Sequence, residues 1–204
     1  MTLLHIDSSL RTEGSVSRQL SAAFAAAWQR KYPEGRIIYR DFAVDPLPHL
    51  TAAYVSASYK KDGRTAEEQA SAQPADAAVA ELMSVDHILI GAPMYNFSAP
   101  SSVKTWVDHI VQDQTTFRFG PQGPEGLVKG KRVCAVTSHG GDYSEGSPWA
   151  AADMLTPWLR NILGFLGMTD FSAISVQATD FSPEQKAERI AKALSEIEAT
   201  LAAW

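Results

Sequence analysis

Short apolar runs alternate along this chain with longer stretches in which apolar residues recur every three or four positions. Leu3 to Ile6, Arg36 to Tyr39, His87 to Ala92, Arg132 to Thr137 and Ile174 to Val176 read as strands. The stretches between them read as helices. After Gly14, the residues Leu20, Phe24, Ala27 and Trp28 share one face, and Pro33-Glu34-Gly35 ends that helix. Val103, Trp106, Val107, Ile110 and Val111 keep the spacing of an amphipathic helix that packs on a sheet. The alanine-rich stretch Ala66 to Ala80 reads as a further helix. Near the carboxyl end, Ser182-Pro183-Glu184-Gln185 offers an N-cap, a proline at the first helical position and a capping-box residue. Ile190, Leu194, Ile197 and Leu201 then share one face. Five strands separated by helices predict an α/β fold with a parallel sheet, because parallel neighbours need crossover connections.

Two connections exceed the length such a repeat needs: Ala43 to about Arg64, and the Gly/Pro-rich Phe119 to Gly126. Long connections of this kind commonly form site walls or partner contacts. The 204 residues fit one domain, and 45% of them are apolar, enough for an ordinary core. The net charge of -5, with no polybasic block, argues against a nucleic-acid or anionic-membrane surface. Cys134 is the only cysteine, which excludes an intramolecular disulfide and a cysteine-rich metal site and points to the cytoplasm. Asp7 and its neighbouring serines interrupt what a signal peptide would need, and no run approaches the ~20 apolar residues of a membrane span. The five histidines show no metal-ligand spacing.

In an open parallel sheet, ligands gather beyond the carboxyl ends of the strands where the strand order reverses; for order 2-1-3-4-5 that point lies between strands one and three. Three loops stand at such ends. After strand one, Asp7 to Ser17 is rich in hydroxyls and opens into a helix, whose free N–H groups and positive end suit a phosphate. It lacks both the Gly-x-Gly-x-x-Gly fingerprint and the Gly-x-x-x-x-Gly-Lys-Ser/Thr loop, so neither a dinucleotide turn nor a nucleoside triphosphatase is indicated. After strand three, Pro93-Met94-Tyr95-Asn96-Phe97 supplies flat apolar walls and amide groups for the edge of a fused aromatic ligand. After strand four, Thr137-Ser138-His139-Gly140-Gly141 combines hydroxyls with paired glycines that let backbone approach a ligand closely.

These segments resemble the FMN-dependent NADH:quinone oxidoreductases and azoreductases of the bacterial azoreductase type. The matching features are Ser9, Ser15-Val16-Ser17, Ala92 to Phe97, Lys104-x-Trp-x-Asp108, Thr116-Phe117, Gly123 to Lys131, Thr137 to Gly141, and Leu163-Gly-Phe-x-Gly167. The resemblance implies a flavodoxin-like fold with a five-stranded sheet in order 2-1-3-4-5 and one FMN per subunit of a homodimer. It also implies ping-pong transfer of two electrons from NADH or NADPH through FMN to quinones and azo compounds. Carried over by position, Ser9, Ser15, Val16 and Ser17 would surround the phosphate. Pro93, Met94, Tyr95, Asn96 and Phe97 would border the flavin, with Ser138, His139, Gly140 and Gly141 at its other polar edge. Phe117, Phe119 and Phe165 become candidates for the substrate wall. No side chain is needed as an acid or base, since the flavin carries the chemistry. His139 stands where some relatives have arginine, and Phe119 where tyrosine is frequent.

Two other readings compete. A Ser-His-Asp hydrolase lacks its Gly-x-Ser-x-Gly elbow here. A flavodoxin-like electron carrier serving a protein partner would favour a more acidic surface than this chain has.

Overall fold

The computed structural model describes residues 1–60 and 62–204. Strand β1 (Thr2–Asp7) leads into helix α1 (Val16–Lys31), then β2 (Arg36–Asp41), α2 (Ala52–Ser58), α3 (Ala66–Ser84) and β3 (His87–Pro93). There follow α4 (Ser101–Ile110), β4 (Phe117–Gly120), β5 (Gly123–Gly126), β6 (Arg132–Ser138), α5 (Thr156–Phe165), β7 (Asp170–Val176) and α6 (Pro183–Ala202). The main sheet has five strands in the order β2-β1-β3-β6-β7, and all its neighbours run parallel. Counted within that sheet, the succession is the expected one; in chain numbering it becomes 2-1-3-6-7. The shift arises because the connection Phe119 to Gly126, read from sequence as a long loop, is part of an antiparallel hairpin of β4 and β5 outside the main sheet. Its Gly and Pro content hides the strand signal.

Alternation along the strands divides the core in two. Leu4, Ile6, Ile88, Ile90, Val133 and Ala135 face α3, α4 and α5, where they meet Leu82, Val103, Trp106 and Leu159. Leu3, Leu89, Cys134 and Val136 face α1 and α6, where they meet Phe24, Trp28, Ile197 and Leu201. Every residue of the central strand β3 is buried, the burial expected of a strand covered on both sides. Trp28 keeps its indole partnered by donating to Nδ1 of His87 at 2.8 Å, and burial pushes that imidazole down to about 4, so it stays a neutral acceptor.

The helices differ from the sequence reading in two places. Ser182 caps α6 by accepting from the amide of Gln185, yet the complete capping box is at α3, where Thr65 and Glu68 bond reciprocally. Leu194, expected on the buried face of α6, is 39% exposed; Ala193 takes the buried position beside Ile197 and Leu201. Among the described residues no helix is long and apolar enough to cross a membrane.

Candidate functional site

The loop after β1 is tied to the sheet at its root, where the amide and hydroxyl of Ser8 both donate to the carbonyl of Gly91, at 3.0 and 2.9 Å. Ser15 then caps α1 in extended geometry, its Oγ accepting from the amide of Arg18 and lying 3.3 Å from Oγ of Ser17. Ser9, Val16 and Ser17 are buried. The amides of Val16 and Ser17, the first two of the helix, have no carbonyl four residues back to bond. Hydroxyls and free amides at the positive end of a 16-residue helix form a donor set suited to an anion.

Between Pro93 and Phe97 the chain turns sharply. The amide of Met94 donates to the carbonyl of Ser138 at 2.8 Å, and Tyr95 and Ser98 exchange both backbone bonds at 3.0 Å. The two residues between them lie in the left-handed region, with φ of 49° at Asn96 and 68° at Phe97. This is the tight turn that normally takes Asn-Gly. Asparagine accepts the geometry; phenylalanine does so at a cost on the order of 1–3 kcal/mol. The surroundings fix the turn, since the carbonyl of Phe97 accepts from the amide of Met154 at 3.0 Å. The Phe97 ring, 48% exposed, meets the edge of Tyr143 with centroids 6.2 Å apart.

The loop after β6 joins the same sheet edge. His139 donates its amide to Val176, and Gly141 and His139 accept from Ala178 and Thr179 at 2.7 and 2.9 Å. The imidazole of His139 is fully buried, with Nδ1 3.3 Å from Oγ of Ser175 and Nε2 3.5 Å from the carboxylate of Asp153. Ring and backbone of residue 139 are therefore both turned into the fold, and Gly140 and Gly141 carry the partly exposed part of the loop. Burial works to raise the Asp153 pKa, but His139 and the amides of Thr156 and Leu155 outweigh it and hold the carboxyl below its ordinary range. At Gly140 any Cβ would fall 2.5 Å from Oδ2 of Asp180, so the missing side chain makes room for a neighbour within the chain.

The three loops converge. The hydroxyl of Tyr95 accepts from the amide of Leu10 at 3.1 Å, joining the serine loop to the Phe97 turn, and Met94 and Ser138 join that turn to the third loop. Two cavities flank the turn. One of about 430 Å³ is lined by Tyr95, Asn96, Ser98, Lys104 and Trp158. The other, about 450 Å³, is lined by Phe97, Gly141, Tyr143, Pro148, Trp149 and Phe181.

Phe117, Phe119 and Phe165 form a separate cluster. Phe117 lies with ring centroids 4.8 Å from Phe165 and 5.6 Å from Phe119, and Phe119 is 70% exposed. None of the three lines either cavity beside the turn. Sequence reasoning missed Arg18, Asp41 and Tyr39, which form a polar group beneath the serine loop. One signal was available: an arginine in the first turn of a helix opposes the helix dipole and calls for a carboxylate partner.

Residues 1–201 match the family described as "Flavodoxin-like fold". An FMN-dependent NADH:quinone oxidoreductase of Xanthomonas oryzae pv. oryzae is 40% identical, the match covering 98% of this chain and 96% of the relative. A protein of the same name from Nostoc punctiforme is 38% identical over all of both chains. Among solved structures, azoreductase AzrA superposes with a TM-score of 0.93 at 26% identity, covering 100% of each chain. An FMN-dependent NADH-azoreductase of Bacillus anthracis, solved in complex with FMN, gives 0.90 over 100% of this chain and 99% of its own; at 23% identity that likeness carries the fold alone.

Proposed function

Because this chain belongs to the flavodoxin-like family that includes the FMN-dependent NADH:quinone oxidoreductases, we propose that it holds FMN at the three converging loops and reduces quinones and azo compounds with NADH or NADPH. The observation that carries the assignment of the site is the convergence itself. An anion-directed donor set at the start of α1 is bonded through Leu10 and Tyr95 to a rigid turn with an exposed aromatic ring.

The residues fit the cofactor. The amides of Val16 and Ser17 and the hydroxyls of Ser9, Ser15 and Ser17 would hold the phosphate, a donor set that needs no lysine. Pro93 to Phe97 and Ser138 to Gly141 would border the ring, with the buried His139 supporting its loop from beneath. When bound, FMN would supply the two-electron redox chemistry that links the nicotinamide half-reaction to the acceptor half-reaction. The chain fixes the ring edge through the Tyr95 to Ser98 turn, whose bonds leave the amides of Asn96 and Phe97 free to face electron-rich ring atoms. Phe97, Tyr143 and Trp149 give a planar acceptor an apolar wall to pack on. No acid or base is required among them.

Phe117, Phe119 and Phe165 stand apart from that wall within one chain, and the exposure of Phe119 supports a place for them at the boundary of a homodimer. The 204 residues act as one FMN-binding domain, and a single buried cysteine suits a cytoplasmic protein.

Purified protein supplied with FMN is expected to oxidise NADH or NADPH rapidly when a benzoquinone is the only acceptor. Oxidation of neither nucleotide, with flavin bound, would contradict the enzymatic reading and favour an electron carrier that serves a protein partner.

A further inference from the structure

Arg18 is the cation built into the root of the serine loop, and its side chain is 13% exposed. It has nothing left to offer a phosphate. Nε and Nη2 both donate to the carbonyl of Ser9, at 3.1 and 2.7 Å; Nη2 and Nη1 donate to the two carboxylate oxygens of Asp41, at 2.6 and 2.7 Å; Nη1 donates to the hydroxyl of Tyr39 at 3.3 Å. These contacts account for all the N–H groups a guanidinium carries. Its charge is balanced locally by Asp41 and by Asp7, whose Oδ2 lies 3.8 Å away. The Arg18 hydrogen bonds in turn hold the Asp41 carboxyl below its usual range.

The peptide joining Ser9 to Leu10 is consequently gripped at both ends. Its carbonyl accepts from Arg18, and its N–H donates to the hydroxyl of Tyr95. A planar peptide held at both polar groups cannot rotate. It also links α1 to the turn that carries Phe97. We propose that Arg18 is a positioning residue for the FMN phosphate, acting through the Ser9–Leu10 peptide rather than as a counter-ion. This rests on the FMN reading above. It assigns to the Arg18–Asp41 pair the task of presenting the serine loop in its binding shape before the ligand arrives, which lowers the ordering cost of binding.

The test compares FMN with riboflavin, which lacks the phosphate, by fluorescence titration of the apoprotein. Arg18→Met is expected to weaken FMN by about tenfold or more while riboflavin changes by less than about twofold, the scale for losing charge-assisted bonds that order a loop. Arg18→Lys should not rescue, because a point charge cannot hold Ser9 and Asp41 together. The double variant R18M/D41N, which removes the stranded carboxylate, should remain as weak toward FMN as Arg18→Met. Recovery in that double variant would mean that charge balance is all that Arg18 provides, and would overturn the proposal. Equal weakening of both flavins would overturn it as well, since that marks general loosening. If Arg18→Met does not fold, Tyr95→Phe removes one hydroxyl from the other end of the same peptide and should also weaken FMN more than riboflavin; an unchanged ratio there counts against the proposal. Wild-type protein that binds neither flavin would bring down the FMN reading itself, a result distinct from all of these.

Discussion

Replacing Val16 with proline is expected to weaken FMN binding by roughly ten- to a hundredfold while leaving α1 in place. Val16 is the first residue of the helix, where proline is welcome because the N–H it lacks would bond no helical carbonyl. Ser15 before it has φ -79° and ψ 121°, within the region that a residue preceding proline adopts. The substitution therefore deletes a single donor from the proposed phosphate cradle and little else in the backbone. One hydrogen bond to a charged group is worth about 1.5–3 kcal/mol, which corresponds to about one to two powers of ten in affinity. Val16 is also 7% exposed, so Val16→Ala is the control for lost side-chain packing. Titration of the two variants with FMN, alongside far-ultraviolet circular dichroism to verify the helix, separates the cases. Equal weakening in Val16→Pro and Val16→Ala would show that the amide is not a ligand.

Gly126→Ala is expected to be the most destabilising small substitution in the hairpin. A Cβ at this position would lie 2.2 Å from the amide nitrogen of Gly167 and 2.3 Å from the carbonyl carbon of Leu166. Both are backbone atoms, so no rotamer change relieves the clash. Nearby, Val128 donates its amide to the carbonyl of Leu166 at 2.8 Å, which anchors the hairpin to the end of α5. Forcing β5 away from the end of α5 should cost about 3 kcal/mol, and a midpoint drop of about 6–12 °C follows for a protein of this size. Gly164→Ala is the matched control. That glycine lies inside α5 with open space where a Cβ would go, so alanine there should be neutral or slightly stabilising. Thermal unfolding of both variants gives the comparison; similar midpoints for the two would refute the packing argument.

The sheet was legible because each of its strands is a short apolar run between turn signals, and because the helices of both faces keep their periodicity through long stretches. The same logic explains the failures. In the hairpin, Gly123, Pro124 and Gly126 carry no β preference, so β5 exists through pairing with β4 and anchoring near Leu166 rather than local sequence. Leu194 was assigned to the buried stripe of α6 by spacing alone, whereas the helix is rotated so that Ala193 faces α1. At the site, residue types and loop positions picked out three segments that the fold brings together at one sheet edge. What they did not reveal was geometry: nothing about phenylalanine announces a φ of 68° at Phe97, which neighbouring contacts impose. The burial of the His139 ring was equally invisible, since it depends on Asp153 and Ser175, distant in sequence. The grip of Arg18 on Ser9 was hidden for the same reason, its partner Asp41 arriving from the end of a different strand.

A crystal structure grown with FMN is the most direct measurement of where the cofactor lies. It should show the phosphate within hydrogen-bond reach of the Val16 and Ser17 amides, the ring edge against Met94 to Phe97, and Ser138 to Gly141 along the opposite polar side. Flavin bound elsewhere on the fold, or a phosphate held by side chains away from the start of α1, would contradict the account.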